Sequence, residues 1–198
     1  MSANPIHRWL VLSSSVLINL CIGSGYAWSV FQKPLIDMFQ WTTSDTSLVF
    51  TISFGVVPLA MIVAGKIQDK IGPKIVVLVG GILFGVGIIG AGFTDSLSVL
   101  YSTYGVTGGI GMGTTYACTV ANTVKLFPDR RGLASGLVVA GFGLGAVLFA
   151  PLSTWLIDSH GVLAAFKILG TGHLLLIPAL SLLIQAAPAG YRPAGWTP

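Results

Sequence analysis

Apolar residues in this chain fall in long unbroken blocks, not at the spacings of amphipathic helices or strands. An α-helix rises about 1.5 Å per residue, so crossing a bilayer takes about 20 apolar residues. Six stretches meet that measure, at about 9–31, 47–65, 75–94, 97–124, 132–157 and 162–186. The first five contain no Asp, Lys or Arg, and the sixth contains Lys167 and His173. The first stretch follows His7 and Arg8 and stays uncharged to Phe31. That is too long for the apolar region of a signal peptide, roughly 7–15 residues, so it reads as a retained span.

Composition agrees. The chain has 198 residues, of which 54% are hydrophobic and 8% charged, with no Glu. Its mean hydropathy is +0.87. Soluble domains carry roughly 25% charged residues. Ten basic and six acidic side chains cannot coat a soluble fold of this length, whereas lipid tails solvate apolar side chains directly. The net charge of +4 is scattered over short loops and is not a nucleic-acid signal. Cys21 and Cys118 lie deep in apolar stretches and read as packing residues, not as a disulfide or metal site.

The loop charges set a topology. Arg8, Lys66, Lys70, Lys74, Lys125, Arg130, Arg131 and Arg192 fall on one side, with Lys33 and Lys167 on the other. Cytoplasmic loops collect Lys and Arg, so both termini are expected in the cytoplasm. Asp37, Asp45, Asp95 and Asp158 fall on the outer side. Past Ala187 the chain turns to Pro188, Gly190, Pro193, Gly195 and Pro198, which reads as the start of a linker over 188–198.

Small residues let helices approach closely in lipid. Gly105, Gly109, Gly113, Ala117 and Ala121 recur every fourth residue in span four. Gly132, Gly136 and Ala140, and again Gly141 and Gly145, repeat the device in span five. Opposite the small face of span four, Thr115, Tyr116, Thr119, Asn122 and Thr123 share an arc of about 120° at 100° per residue. In span one Ser15, Asn19 and Tyr26 lie within about 40°, with Trp28 following. These stripes read either as cavity lining or as glue between helices, and Trp28 also as an interfacial residue. Spans one and four open two three-helix units, which a 3+3 inverted repeat with a midplane site would place alike. Lys167 can reach outward from span six. His173 reads as a hydrogen-bonded packing residue, with a proton carrier as the other reading. Pro58, Pro151 and Pro178 are expected to bend their helices.

Two loops and two further segments carry a resemblance. The run from Gly65 through Lys66, Ile67, Gln68, Asp69, Lys70, Ile71, Gly72 and Pro73 to Lys74 resembles the loop between helices two and three of the major facilitator superfamily. The run from Phe127, Pro128, Asp129, Arg130 and Arg131 through Gly132 to Gly136 resembles the start of helix five in oxalate/formate antiporters and related monocarboxylate porters. Residues 23–31, with Tyr26 and Trp28, and the tail 190–198 are similar to the same branch.

The resemblance implies an all-α membrane protein. It would be the N-terminal six-helix half of a facilitator fold over 1–187, moving a small carboxylate such as oxalate, formate or lactate by alternating access in a bacterial inner membrane. It implies that Tyr26, Tyr116 and Phe142 line an anion pocket, and the stripes add Asn19, Trp28, Thr119 and Asn122. Phe142 stands where such carriers also use tyrosine, which would suit a less polar monocarboxylate. The gating loop would be Gly65, Asp69, Lys70 and Gly72, with Arg130 and Arg131 as partners of Asp69. Lys66, Lys74 and Lys125 read as orientation charges only.

Two departures matter. Family members have twelve spans, and their carboxylate-neutralising cations lie in the second half. Here no Lys or Arg lies at the centre of a span, and a carboxylate without a cation at mid-membrane is costly. Ser29 and Val30 occupy the stretch where proton-linked animal carriers have a lysine, so proton coupling through that residue is unsupported. The expected partners are therefore the bilayer, a small organic anion and a second six-helix half, supplied by a longer chain, a separate chain or a second copy. A non-transporting fragment or scaffold is the alternative. An intramembrane enzyme would want paired carboxylates, a serine–histidine pair or clustered metal ligands. All six Asp lie in loops or at helix ends, so no enzyme, cofactor or metal is expected.

Overall fold

The computed structural model describes residues 5–188 and 190–193, and these form helices joined by short turns. α1 (Pro5–Ile22) passes through a 3-10 turn (Gly23–Ala27) into α2 (Trp28–Phe39). α3 (Thr43–Ile71) and α4 (Pro73–Ala91) follow. Next comes a rod made of α5 (Leu97–Leu100), a π-helical segment (Tyr101–Gly108) and α6 (Gly109–Leu126). α7 (Arg131–His160) and α8 (Val162–Ser181) complete the bundle. Residue 189 and residues 194–198, which hold the end of the expected linker, lie outside the described residues.

Among the described residues, five segments are long and apolar enough to cross a membrane: Arg8–Phe39, Thr43–Ile71, Pro73–Ala91, Arg131–His160 and Val162–Ser181. The rod 97–126 is helical throughout, but α6 is more polar than the others, with three threonines and Asn122 buried along it. Most helices outrun the apolar stretches. The first rod continues to Phe39 instead of stopping near 31, and α3 spans 43–71 where 47–65 is apolar. Hydropathy marks only the hydrocarbon depth, while helix geometry continues through the headgroup zone. Thr42 and Asp45 illustrate this: they form a reciprocal capping box that starts α3 in a polar setting. At the other end of the chain α8 stops at Ser181, short of 186, and tight turns carry the chain to Ile184.

Two connections are single glycines. Gly72 joins the 29-residue α3 to the 19-residue α4 at φ 87°, ψ 159°. Gly161 joins the 30-residue α7 to the 20-residue α8 at φ 82°, ψ 162°. That region of backbone space is essentially closed to residues with a Cβ. The same turn thus recurs in two helix pairs of nearly equal length.

Close packing follows the small faces. Gly105, Gly109 and Gly113 lie on Val49, Ser53 and Val57 of α3, and a Cβ at Gly109 would stand 2.7 Å from the Ser53 carbonyl oxygen. On α7, Gly141 and Gly145 meet the first rod, where a Cβ at Gly145 would be 2.6 Å from the Leu20 oxygen. Among the described residues the other expected seam of α7 has no partner: Gly132 and Gly136 face open space. Pro58, Pro151 and Pro178 lie inside helices that continue past them. Cys21 and Cys118 are buried free thiols.

The contrast within α7 is testable. Gly145→Ala should cost about 1–3 kcal/mol through overpacking, whereas Gly143→Ala, with nothing within 4 Å, should stabilise the helix by up to about 1 kcal/mol. Unfolding of both variants in detergent micelles by denaturant titration reads the difference; equal stability would refute the packing argument.

Candidate functional site

The 3-10 turn in the first rod organises the site. Gly23, Ser24 and Gly25 are weak helix formers, and the Trp28 amide donates to the Gly25 carbonyl in place of a residue one step earlier. A 3-10 residue advances about 120° against 100° for an α-helix, so the turn rotates Tyr26 by roughly 80° relative to α1. Tyr26 therefore leaves the stripe of Ser15 and Asn19 and emerges 44% exposed. Its ring sits 5.1 Å from Phe142 on α7 and 5.1 Å from Phe54 on α3. Phe142 in turn lies 5.0 Å from Tyr116 on α6. The three aromatic residues expected from the resemblance are thus brought together, with Phe142 between the tyrosines.

Phe54, itself 4.3 Å from Phe50, extends the array. It sits in a uniformly apolar stretch and gave no signal in the sequence. Phenol hydroxyls donate hydrogen bonds and aromatic edges carry positive potential, so this face suits a small anion with an apolar part.

The other expected lining residues are elsewhere. Asn19 and Thr119 are fully buried, and the Asn19 amide donates to Thr119 Oγ1 at 2.8 Å and to the Ser15 carbonyl at 2.7 Å. Thr123 Oγ1 donates to Ser15 Oγ at 3.4 Å. The polar stripes of α1 and α6 therefore face each other and knit the bundle, because lipid offers their amides and hydroxyls no partner. Asn122 donates to the Gln185 carbonyl at 2.9 Å and accepts from the Ala187 amide at 3.2 Å, which tethers the chain leaving α8. Trp28 is buried against Tyr104 at 4.7 Å, with Phe166 stacked beyond it. Its ring is buried inside the bundle and away from the open aromatic face. His173 is packed between Phe84 and Phe149, with Nε2 3.3 Å from Ser24 Oγ. Lys167 reaches toward the end of its helix and lies 4.1 Å from the Phe93 ring.

The basic end of the bundle carries three ion pairs among the described residues. Asp69 pairs with Lys125 at 3.0 Å, not with Arg130 or Arg131 as expected. Lys125 ends α6 beside the α3–α4 turn, whereas Arg130 turns to Asp129 at 3.8 Å. Lys125 is therefore more than an orientation charge. Asp129 also takes two hydrogen bonds from Arg8, at 2.7 and 3.2 Å, in a largely buried pair. The Arg8 guanidinium stacks 4.7 Å from the Phe127 ring. Partial burial pushes the Asp129 carboxyl up, but the Arg8 hydrogen bonds and the charges of Arg8 and Arg130 outweigh it and hold the carboxyl below its usual value. Gly72 is the turn itself, whereas Gly65 lies within α3 and does not form part of the turn, and Lys70 is exposed at the end of α3.

Membrane-length helices, buried polar stripes and one open aromatic face are the make-up of an integral membrane transport domain. The sequence profile of the Major Facilitator Superfamily matches residues 13–197, and the chain belongs to that family, whose members are transporters and not enzymes. It is 33% identical over 181 residues to the uncharacterized MFS-type transporter YhjX of Escherichia coli (strain K12), covering 91% of this chain and 45% of that protein. It is also 33% identical over 181 residues to the oxalate:formate antiporter of Oxalobacter formigenes, covering 90% and 43%. Its fold matches the proton:xylose symporter XylE with a TM-score of 0.79 at 15% identity, over 94% of this chain and 46% of that one. The chain thus spans less than half the length of these relatives.

The Asp129 pair makes stability depend on acid. A carboxyl whose folded pKa is lowered contributes stability that is present above its unfolded pKa, about 3.9, and is lost as pH falls through the lower folded value. Asp129→Asn should lower stability at pH 7 and flatten the decline below about pH 4. A decline as steep as that of the parent protein would remove Asp129 as its source.

Proposed function

We propose that this chain is the N-terminal six-helix half of a secondary transporter for small carboxylate anions, working by alternating access. The observation that carries the reading is the Tyr26–Phe142–Tyr116 array on an open face of the bundle. Similarity to an oxalate:formate antiporter supports the substrate class. Counting the rod 97–126 as a span completes two three-helix units. The matching Gly72 and Gly161 turns, and the interruptions of the two leading rods by 3-10 and π segments, support a 3+3 inverted repeat. The concentration of Lys and Arg at the end holding Arg8 and the α3–α4 turn supports cytoplasmic termini in a bacterial inner membrane. The domain would run over 1–187, with 188–198 opening the central linker.

A carboxylate at the aromatic face needs a cation, and no Lys or Arg lies near the middle of these helices. The half reading supplies it from the missing partner half, whether in a longer chain, a separate chain or a second copy. In alternating access the Asp69–Lys125 pair would hold the α3–α4 turn to the end of α6 in one state and release it in the other. Gly72 forms that turn directly after Lys70, with Gly65 upstream in α3, and Arg130 and Arg131 lie at the start of α7.

Liposomes holding only this chain should take up no labelled oxalate, formate or lactate under conditions where the Oxalobacter formigenes antiporter does. Uptake by the chain alone would show that its own copies complete the site. In whichever assembly carries flux, Phe142→Tyr adds a phenol hydroxyl between two others. It should raise the oxalate-to-lactate uptake ratio roughly fivefold, the worth of about one hydrogen bond; an unchanged ratio would remove Phe142 from substrate selection.

A further inference from the structure

Away from the aromatic face, α3 packs chiefly on α6 and α4 on α8 and α6, and the two pack little on each other. They leave between them a groove of about 520 Å³ that ends toward the Gly72 turn. Its walls are almost wholly apolar: Val63, Ile67 and Ile71 on one side, Ile75 and Val79 on the other, with Ile110 of α6 beneath. Val63 is 57% exposed and Ile71 and Ile75 are each 50% exposed, so a large apolar surface has no partner within the described residues.

The charges at the turn end of this groove follow a register. Lys66, Lys70 and Lys74 each immediately precede a groove-lining isoleucine: Ile67, Ile71 and Ile75. All three lysines are exposed, and none forms an ion pair among the described residues. The nearby acid, Asp69, is engaged by Lys125. Lys74 stands in the first turn of α4, where the helix dipole disfavours a cation and favours an anion, and no side chain caps that helix start. An apolar slot that opens among three unpaired ammonium groups is complementary to a molecule with an acyl tail and an anionic head.

We propose that this groove binds an anionic glycerophospholipid, with an acyl chain between α3 and α4 and its phosphate among Lys66, Lys70 and Lys74. The lysine stems lie along the apolar wall while their heads meet the phosphate. Such a lipid lies against the same α3–α4 turn that the Asp69–Lys125 pair holds. It therefore bears on the same turn without entering the aromatic face.

The test is native mass spectrometry of the full chain, delipidated in mild detergent and titrated with phosphatidylglycerol or phosphatidylcholine of identical acyl chains. Phosphatidylglycerol should be retained at least fivefold better. The triple variant Lys66→Gln, Lys70→Gln, Lys74→Gln should abolish the preference, while Lys33→Gln at the far end should keep it. Val79→Trp, which fills the groove, should weaken retention of both lipids, and circular dichroism confirms the fold of each variant. Equal retention of the two lipids overturns the proposal, as does a preference that survives the triple variant. A second copy of the chain retained in place of lipid also overturns it. No flux is measured, so the outcome is independent of the carboxylate reading.

Discussion

Close approach between helix backbones is the constraint on which this bundle depends. Lipid tails are as apolar as the side chains they touch, so helices gain little by burying leucine against leucine and must gain by contact and hydrogen bonding. The glycines of the π segment and α6 let this rod rest on the carbonyls of α3, and Gly141 and Gly145 let α7 rest on the first rod. With the backbones this near, the polar stripes of α1 and α6 come within hydrogen-bond range, and Asn19 reaches Thr119.

The 3-10 turn at Gly23–Ala27 converts this packing into a site. Without it, Tyr26 would continue the stripe of Asn19 into the interior. With it, the tyrosine swings out to meet Phe142 and Phe54, while Trp28 turns inward onto Tyr104. The hydrogen-bonding distance between His173 and Ser24 ties the same turn to α8. The open face is thus set by a few residues of irregular backbone held within regular helices, which buried surroundings permit where lipid would not.

At the basic end, two of the ion pairs divide the work. Arg8 and Asp129 are largely buried and lock the start of α1 to the loop before α7. Lys125 and Asp69 are exposed and link the α3–α4 turn to α6. An exposed pair contributes little to stability, and for that reason it can open and close at small cost. The lysines around the same turn are exposed and form no ion pair among the described residues.

The apolar blocks, the small-residue face of span four and the side on which basic residues gather were all legible in the sequence, because each is a local pattern repeated along one helix. So was the grouping of Tyr26, Tyr116 and Phe142, through the resemblance that residues 23–31 and 127–136 carry. The fates of Asn19, Thr119, Asn122 and Trp28 were not. A helical wheel assumes 100° per residue, and the turn at Gly23 breaks that phase; a polar stripe looks the same whether it meets water or another stripe. The partner of Asp69 was likewise decided by tertiary structure. Lys125 and Arg130 are five residues apart, and only the end of α6 beside the α3–α4 turn determines which one reaches the carboxylate. Periodicity within a helix is written in the chain, whereas the choice of neighbour arises only when helices rotate and slide to bring their small faces into contact.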